Sequence, residues 1–466
     1  MFESSSLLQN NRRYMFESPP FAKIPAVLQK LADFSNNNMR AKQKMKIPHF
    51  LSFIFYYLIF CGTGCASVSG ALEAFEGKIW GDFISEHGLV LDYKGDLPAP
   101  QDCIEGRPNF LNWWGPTENA AKFTGLYLAS VCQRHNLNPS KSDAEKARTL
   151  ARGLMLCASV SDVDGFVSRG VSLDGKTHYP LGSEDQTIPW IYGLYLYIKS
   201  GIPDDAEKKA VISKIIEVCS ALDKNGWNCP CDGKFKGQHR GELAQFRFFQ
   251  APCMLFGLRV MWDLTQSSVW RGKYYAALRE KDAKTGKTRM EICSRGYRLD
   301  DGWLNNIDKN FLWIYVKGQA ALRMLFDMET DPDAKEAFLA GLRANASNAF
   351  KVVGDYKLYD NSANYPFTSS DWRRIYKWRP QKSQKDAEEL AMLQLNSHLH
   401  GSARKMERNY MTNPMSAAAM LAFSGDPKYR ETVEKVISHY DYSKFHLGEI
   451  IYASVAYSAM ETYIKE

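Results

Sequence analysis

Long runs of one charge are missing from this 466-residue chain, and 59 Lys plus Arg against 52 Asp plus Glu leave a surplus of only +7. A nucleic-acid footprint needs basic residues gathered on one face or along one helix, so no nucleic acid is expected as a partner. A mild basic balance suits anionic small substrates or acidic glycans instead. Strand signals are scarce as well: after about residue 71 there is almost no alternation of β-branched residues, which excludes a core built on sheets. No phosphate loop or dinucleotide fingerprint occurs. His178, His239, His398 and His400 are too dispersed for a zinc site, and Asp162 with Asp164 are too few for a calcium loop. Neither a metal nor another cofactor is expected.

No apolar run reaches the roughly 20 residues of a membrane-spanning helix, but a shorter one stands near the start. In "MRAKQKMKIPHFLSFIFYYLIFCGTGCAS" the basic residues Arg40, Lys42, Lys44 and Lys46 precede an apolar stretch from Phe50 to Cys61, and small residues follow up to Gly64 and Cys65. That order is an export signal with its cleavage region. The "GTGC" ending resembles the bacterial lipobox, with Gly62 where Leu is usual. The resemblance implies a diacylglyceryl group on Cys65 and attachment to an envelope membrane through that lipid alone, at the periplasm or cell surface. Residues 1–44 then form an upstream extension outside the fold, 45–65 the signal, and 66–466 a single domain. Eight cysteines lie beyond Cys65. Export permits disulfides, yet several sit in apolar helical runs where a small buried thiol is the simpler reading. Cys229-Pro230-Cys231 lacks a second pair at ligand spacing and is discounted as a metal or redox site.

The 45% hydrophobic content is ample for a core, and it is spent on helices. Four segments open on Asp or Pro-Asp and carry apolar residues three and four apart with charges between: 143–160, 205–226, 332–350 and 426–440. They read as capped amphipathic helices with one solvent face. Six others are apolar nearly all round, hence buried on most sides: "AAKFTGLYLASVC", "IPWIYGLYLYIKSG", "FFQAPCMLFGLRVMWDLT", "FLWIYVKGQAALRMLFDME", "PMSAAAMLAFSG" and "GEIIYASVAYSAMETYI". The two kinds alternate, predicting about six helical hairpins between Asn109 and Glu466. The last unit is incomplete, with residues 71–86 available to close it. Self-similarity remains between 117–129 and 183–197, where Gly125 and Gly193 allow close helix approach.

This alternation resembles the six-hairpin (α/α)6 toroid glycosidase-like superfamily, which includes unsaturated glucuronyl hydrolases, other exo-acting glycosidases and several polysaccharide lyases. The resemblance implies an all-α toroid whose inner helices start at one face, where loops line a funnel for a poly- or oligosaccharide. It also implies that an acidic residue just before an inner helix faces substrate.

The stretch "GSEDQTIPW" places Glu184 and Asp185 at such a start, beside Trp190, with Glu118 at the equivalent position of the preceding unit. Caps and helix dipoles alone favour carboxylates there. Two carboxyl groups converging from neighbouring helices also supply the acid and the base or nucleophile of glycoside hydrolysis. The connection 161–185 is long and without helical period, as functional loops often are. It offers Asp164, Arg169 and His178 toward substrate, although Arg169 could equally pair with Asp164. Trp113 and Trp114 form either a sugar-stacking platform or core, and "RLDDGWLNN" adds Asp300, Asp301 and Trp303 before the fourth inner helix.

The expectation is a glycoside hydrolase using Glu118 with Glu184 or Asp185 on a neutral or acidic glycan. Two alternatives stand beside it. Elimination would use a Tyr or His base beside cations, and His398, His400, Arg404, Arg408 and Tyr410 have those types, though their spacing also fits an amphipathic helix. A lipoprotein that binds glycan without cleaving it is the other, since fold does not fix function.

Overall fold

A computed structural model describes residues 67–298, 309–355, 358–363, 371–375, 377–399 and 403–465. The export signal, Cys65, Asp300, Asp301, Trp303 and His400 lie outside the described residues. Among the described residues the only sheet is a two-stranded antiparallel one, β1 (Asn228–Pro230) with β2 (His239–Glu242); everything else regular is helical, so the class is all-α. None of the described helices is long and apolar enough to cross a membrane.

The chain opens with α1 (Val68–Lys78) and the short α2 (Pro100–Glu105), then alternates between buried and amphipathic helices. The buried set is α3 (Ala120–Leu137), α5 (Glu184–Lys199), α7 (Ala251–Thr265), α10 (Val316–Met328), α14 (Asn413–Phe423) and α16 (Ile451–Tyr463). These correspond to the six segments that are apolar all round. Between them run α4 (Lys141–Cys157), α6 (Asp205–Lys224), α8 (Ser268–Arg279), α9 (Arg289–Arg295), α11 (Pro332–Asp355), α12 (Gln384–Leu399), α13 (Ala403–Glu407) and α15 (Arg430–Ser438). Their starts follow the local chemistry. Ser140 Oγ accepts from the Asp143 amide to cap α4, and Asp204 with Glu207 forms a reciprocal capping box on α6.

Successive buried helices pack on one another, α3 on α5, α5 on α7, α7 on α10, α10 on α14 and α14 on α16, and α16 returns to pack on α3. The N-terminal α1 packs against α15 and α16. The α3–α5 crossing depends on two glycines: a Cβ on Gly125 would stand 2.1 Å from the Pro189 carbonyl oxygen, and one on Gly193 would stand 2.5 Å from that of Gly125. Neither distance is tolerable for carbon, so backbone meets backbone there.

The eight described cysteines are free thiols, all buried. Burial pushes Cys219 up to about 12, which leaves it a protonated, inert core side chain.

Candidate active site at the starts of the buried helices

Charge in this otherwise apolar interior gathers where buried helices begin. Between α1 and α2 the chain makes isolated bridges, Ile84 with Val90 and Tyr93 with Leu447. Asp92 is pinned between them: its amide donates to Pro116 O (2.8 Å), and its carbonyl accepts from Gly448 N (2.9 Å), just before α16. Gly448 has to be glycine, because a Cβ would lie 1.9 Å from Leu91 O. This close approach delivers the Asp92 carboxylate to the start of α3. There it accepts from the Asn119 amide (2.6 Å) and from Asn119 Nδ2 (2.8 Å).

Glu118 stands beside it. Its Oε2 accepts from the Trp114 amide at 2.9 Å, an N–H aimed by a left-handed backbone at Trp114 (φ 75°) of the kind that persists only when its surroundings hold it. Arg404 Nη2 lies 3.4 Å from Glu118 Oε2 and 3.9 Å from Asp92 Oδ1. One guanidinium therefore serves two buried carboxyl groups. Burial, then the Glu118 charge, raises Asp92 to about 7, against the opposing pull of Arg404 and Asn119. Burial thus lets Asp92 keep its proton to a higher pH than a free carboxyl does.

The next start carries the opposite tuning. Asp185, in the first turn of α5, is ion-paired with the fully buried Lys317 of α10. Burial opposes its charge, but Lys317 and then Lys122 hold its carboxyl far below the usual range, so it is ionised throughout. Lys317 also lies 3.6 Å from the Phe249 ring centroid; burial disfavours its charge, yet Asp185 and Glu184 raise its proton affinity. Lys122, in the first turn of α3, is fully buried, with its Nζ 3.9 Å from the Trp313 ring centroid. Burial first, with Lys317 adding to it, lowers Lys122 to about 8. Arg408 also lies 5.5 Å from the Trp313 ring centroid and is ion-paired with the buried Glu449, which Thr412 Oγ1 reaches at 2.9 Å.

The residues singled out from sequence fall into separate groups. Glu118 and Asp185 belong to this cluster. Glu184 is close enough to raise Lys317 and packs so tightly under Gly241 (φ 98°) that a Cβ there would overlap its carboxylate. Arg169 is nearly fully buried and two of its nitrogens donate internally, Nη1 to Glu118 O at 2.8 Å and Nη2 to Ser183 Oγ at 3.2 Å. It ties the loop before α3 to the start of α5 and does not pair with Asp164, which is exposed. His178 Nε2 lies 2.6 Å from Asp232 Oδ2 with Phe166 against its ring, an arrangement that organises the loop. Trp190 requires a correction: it is completely buried, its Nε1 donating to Leu154 O at 2.7 Å. Six residues after Glu184, it has already passed the mouth and lies among the helices.

Trp114 is buried, its Nε1 donating to Ala391 O at 2.8 Å, while Trp113 is half-buried and meets it edge-on at 5.9 Å. Of the elimination set, Arg404 and Arg408 are taken up by carboxylates. Tyr410 is 44% exposed and gives its backbone carbonyl to Tyr440. Nothing is described of the His398 side chain.

Sequence reasoning missed Asp92, Lys122, Lys317, Trp313 and Glu449. Asp92 sits in "GLVLDYKGD", which carries no motif. The lysines left a usable sign: Lys122 is the one charged residue among the 14 consecutive buried residues that open α3. A lone cation in such a helix needs a partner or a task. Among the described residues no three His, Cys, Asp or Glu side chains gather closely enough to hold a metal ion. Compared with family models, curated proteins and solved structures, the chain matches none of them.

Proposed function

We propose that this protein is an exported glycoside hydrolase, lipid-anchored through Cys65 and built as an (α/α)6 toroid, acting on a poly- or oligosaccharide. The cyclic order of packing among α3, α5, α7, α10, α14 and α16, with α1 completing the last hairpin, supports the toroid. One observation carries the chemistry: neighbouring helix starts hold carboxyl groups pushed in opposite directions, Asp92 up to about 7 and Asp185 far down. Carboxyl groups whose proton affinities are driven apart divide into an acid and a base.

In this reading the Asp92–Glu118 pair is the acid. Asp92 is almost fully buried and holds the proton, and Glu118, with 11% of its side chain exposed, is the member of the pair that faces the glycosidic oxygen. Arg404 steadies the negative charge left behind. Asp185, ionised and 27% exposed at its side chain, acts on the anomeric centre as base or nucleophile, with Lys317 holding it in place. Trp113, the accessible member of the tryptophan pair, offers a face for a sugar ring.

The test is a product screen of the purified chain on neutral and acidic glycans, following new reducing ends and the ultraviolet absorbance of unsaturated uronates. Reducing ends that disappear in Glu118→Gln and in Asp185→Asn support hydrolysis by these groups. New absorbance instead would replace the reading with elimination, and binding without product would reduce it to a glycan-binding role.

A further inference from the structure

The cations of the site have acceptors to differing degrees, and among the described residues Lys122 has none. Lys317 has Asp185, Arg408 has Glu449, Arg404 has Glu118, and Arg169 has Glu118 O and Ser183. Lys122 is completely buried and its Nζ makes no hydrogen bond. Its contact with the Trp313 ring at 3.9 Å is a cation–π interaction that leaves the ammonium donors unused. The indole Nε1 of Trp313 is likewise buried and without a partner. Two adjacent side chains thus hold donors out of water with no acceptor, an arrangement that costs free energy until something fills it.

We propose that Lys122 and Trp313 form a subsite for an anionic oxygen group, a carboxylate or a sulfate, borne by the sugar that the site accepts; this rests on the reading of the site as a carbohydrate site. A buried ammonium needs a counter-charge, which a neutral hydroxyl does not supply. The protein's own carboxylates near it, Asp185, Glu449 and Asp92, act on Lys122 through their charge without bonding to it. Lys122 lies in the first turn of α3, four residues beyond Glu118, and feels both Asp92 and Asp185. Arg408, near the same indole, adds to the positive field.

The experiment is calorimetric titration of the full chain at pH 7 with sodium glucuronate, glucose 6-sulfate and glucose, repeated on Lys122→Met and Trp313→Phe. At least one acidic probe should bind about tenfold or more tighter than glucose, as a charge-assisted contact provides. Lys122→Met should erase that preference with circular dichroism unchanged, and Trp313→Phe, which keeps the ring and removes the donor, should reduce it several-fold. Whichever acidic probe binds identifies the group. Equal binding of all three, no binding of either acidic probe, or a preference that survives Lys122→Met overturns the subsite. Binding is read without turnover, so the outcome separates from the hydrolase reading: acidic binding without cleavage defeats only the latter, and cleavage of glycans without an acidic preference defeats only the former.

Discussion

Exchanging Asp92 for Asn should change how the stability of this protein responds to pH. In the unfolded chain this carboxyl loses its proton around 3.8; in the folded chain it keeps it to about 7. The folded state therefore binds more protons between those values. The stabilisation this provides is complete below pH 3.8 and is lost as pH rises through 7. The swing across the window is on the order of 4 kcal/mol. Asn carries no charge at any pH, so Asp92→Asn should abolish this component. It has one oxygen for the two Asn119 donors that now bind separate carboxylate oxygens, a loss of about 1 kcal/mol. The variant should thus be slightly less stable than the parent at pH 4 and more stable at pH 8, by roughly 2–3 kcal/mol. Urea unfolding of both proteins from pH 4 to 8.5 isolates the effect of Asp92 and its immediate charged neighbours, because titrating groups distant from it cancel in the difference. Curves that run parallel over the whole range would refute the raised proton affinity of Asp92 in the folded protein.

Four further outcomes follow from the same geometry. Lys317→Met strips Asp185 of its ion pair and should cost about 3 kcal/mol in chemical unfolding, much of it recovered by adding Asp185→Asn. Gly125→Ala drives a methyl into the Pro189 carbonyl and should lower stability by ~1–3 kcal/mol, seen as a depressed Tm; an unchanged Tm would mean that α3 and α5 separate easily. His178→Ala removes a loop contact only, so a loss of about 1 kcal/mol is expected with kcat/KM retained on whichever glycan is cleaved. Trp190→Phe should behave in the same way, since its indole bonds Leu154 in the core.

The helices were legible because both their signals are local: cap residues at the start and apolar spacing along the length. Glu118 and Asp185 were legible for the same reason, each standing beside a helix start. Asp92 was not, because its position depends on Gly448, more than three hundred residues away, admitting the Leu91 backbone at van der Waals range. Trp190 misled because proximity in sequence to Glu184 says nothing about depth: each residue along a helix advances about 1.5 Å, enough to carry Trp190 from rim to core. Arg169 reads as a partner of substrate or of Asp164 because its actual acceptors, a carbonyl and a hydroxyl, leave no charge pattern in the sequence.

The meeting of Asp92 with Gly448 also sets an order of events during synthesis. Local hairpins such as α3 with α4 need only neighbouring sequence and can form early, whereas contacts between distant segments close late. The Asp92–Glu118 pair belongs to the late class: Asp92 reaches its place through the turn before α16, and α1 packs on α15 and α16. A growing chain therefore carries its first helices and its first carboxylates for most of translation without the buried charge cluster assembled. The cluster is completed only when the last two helices emerge and meet α1 and the Asp92 segment.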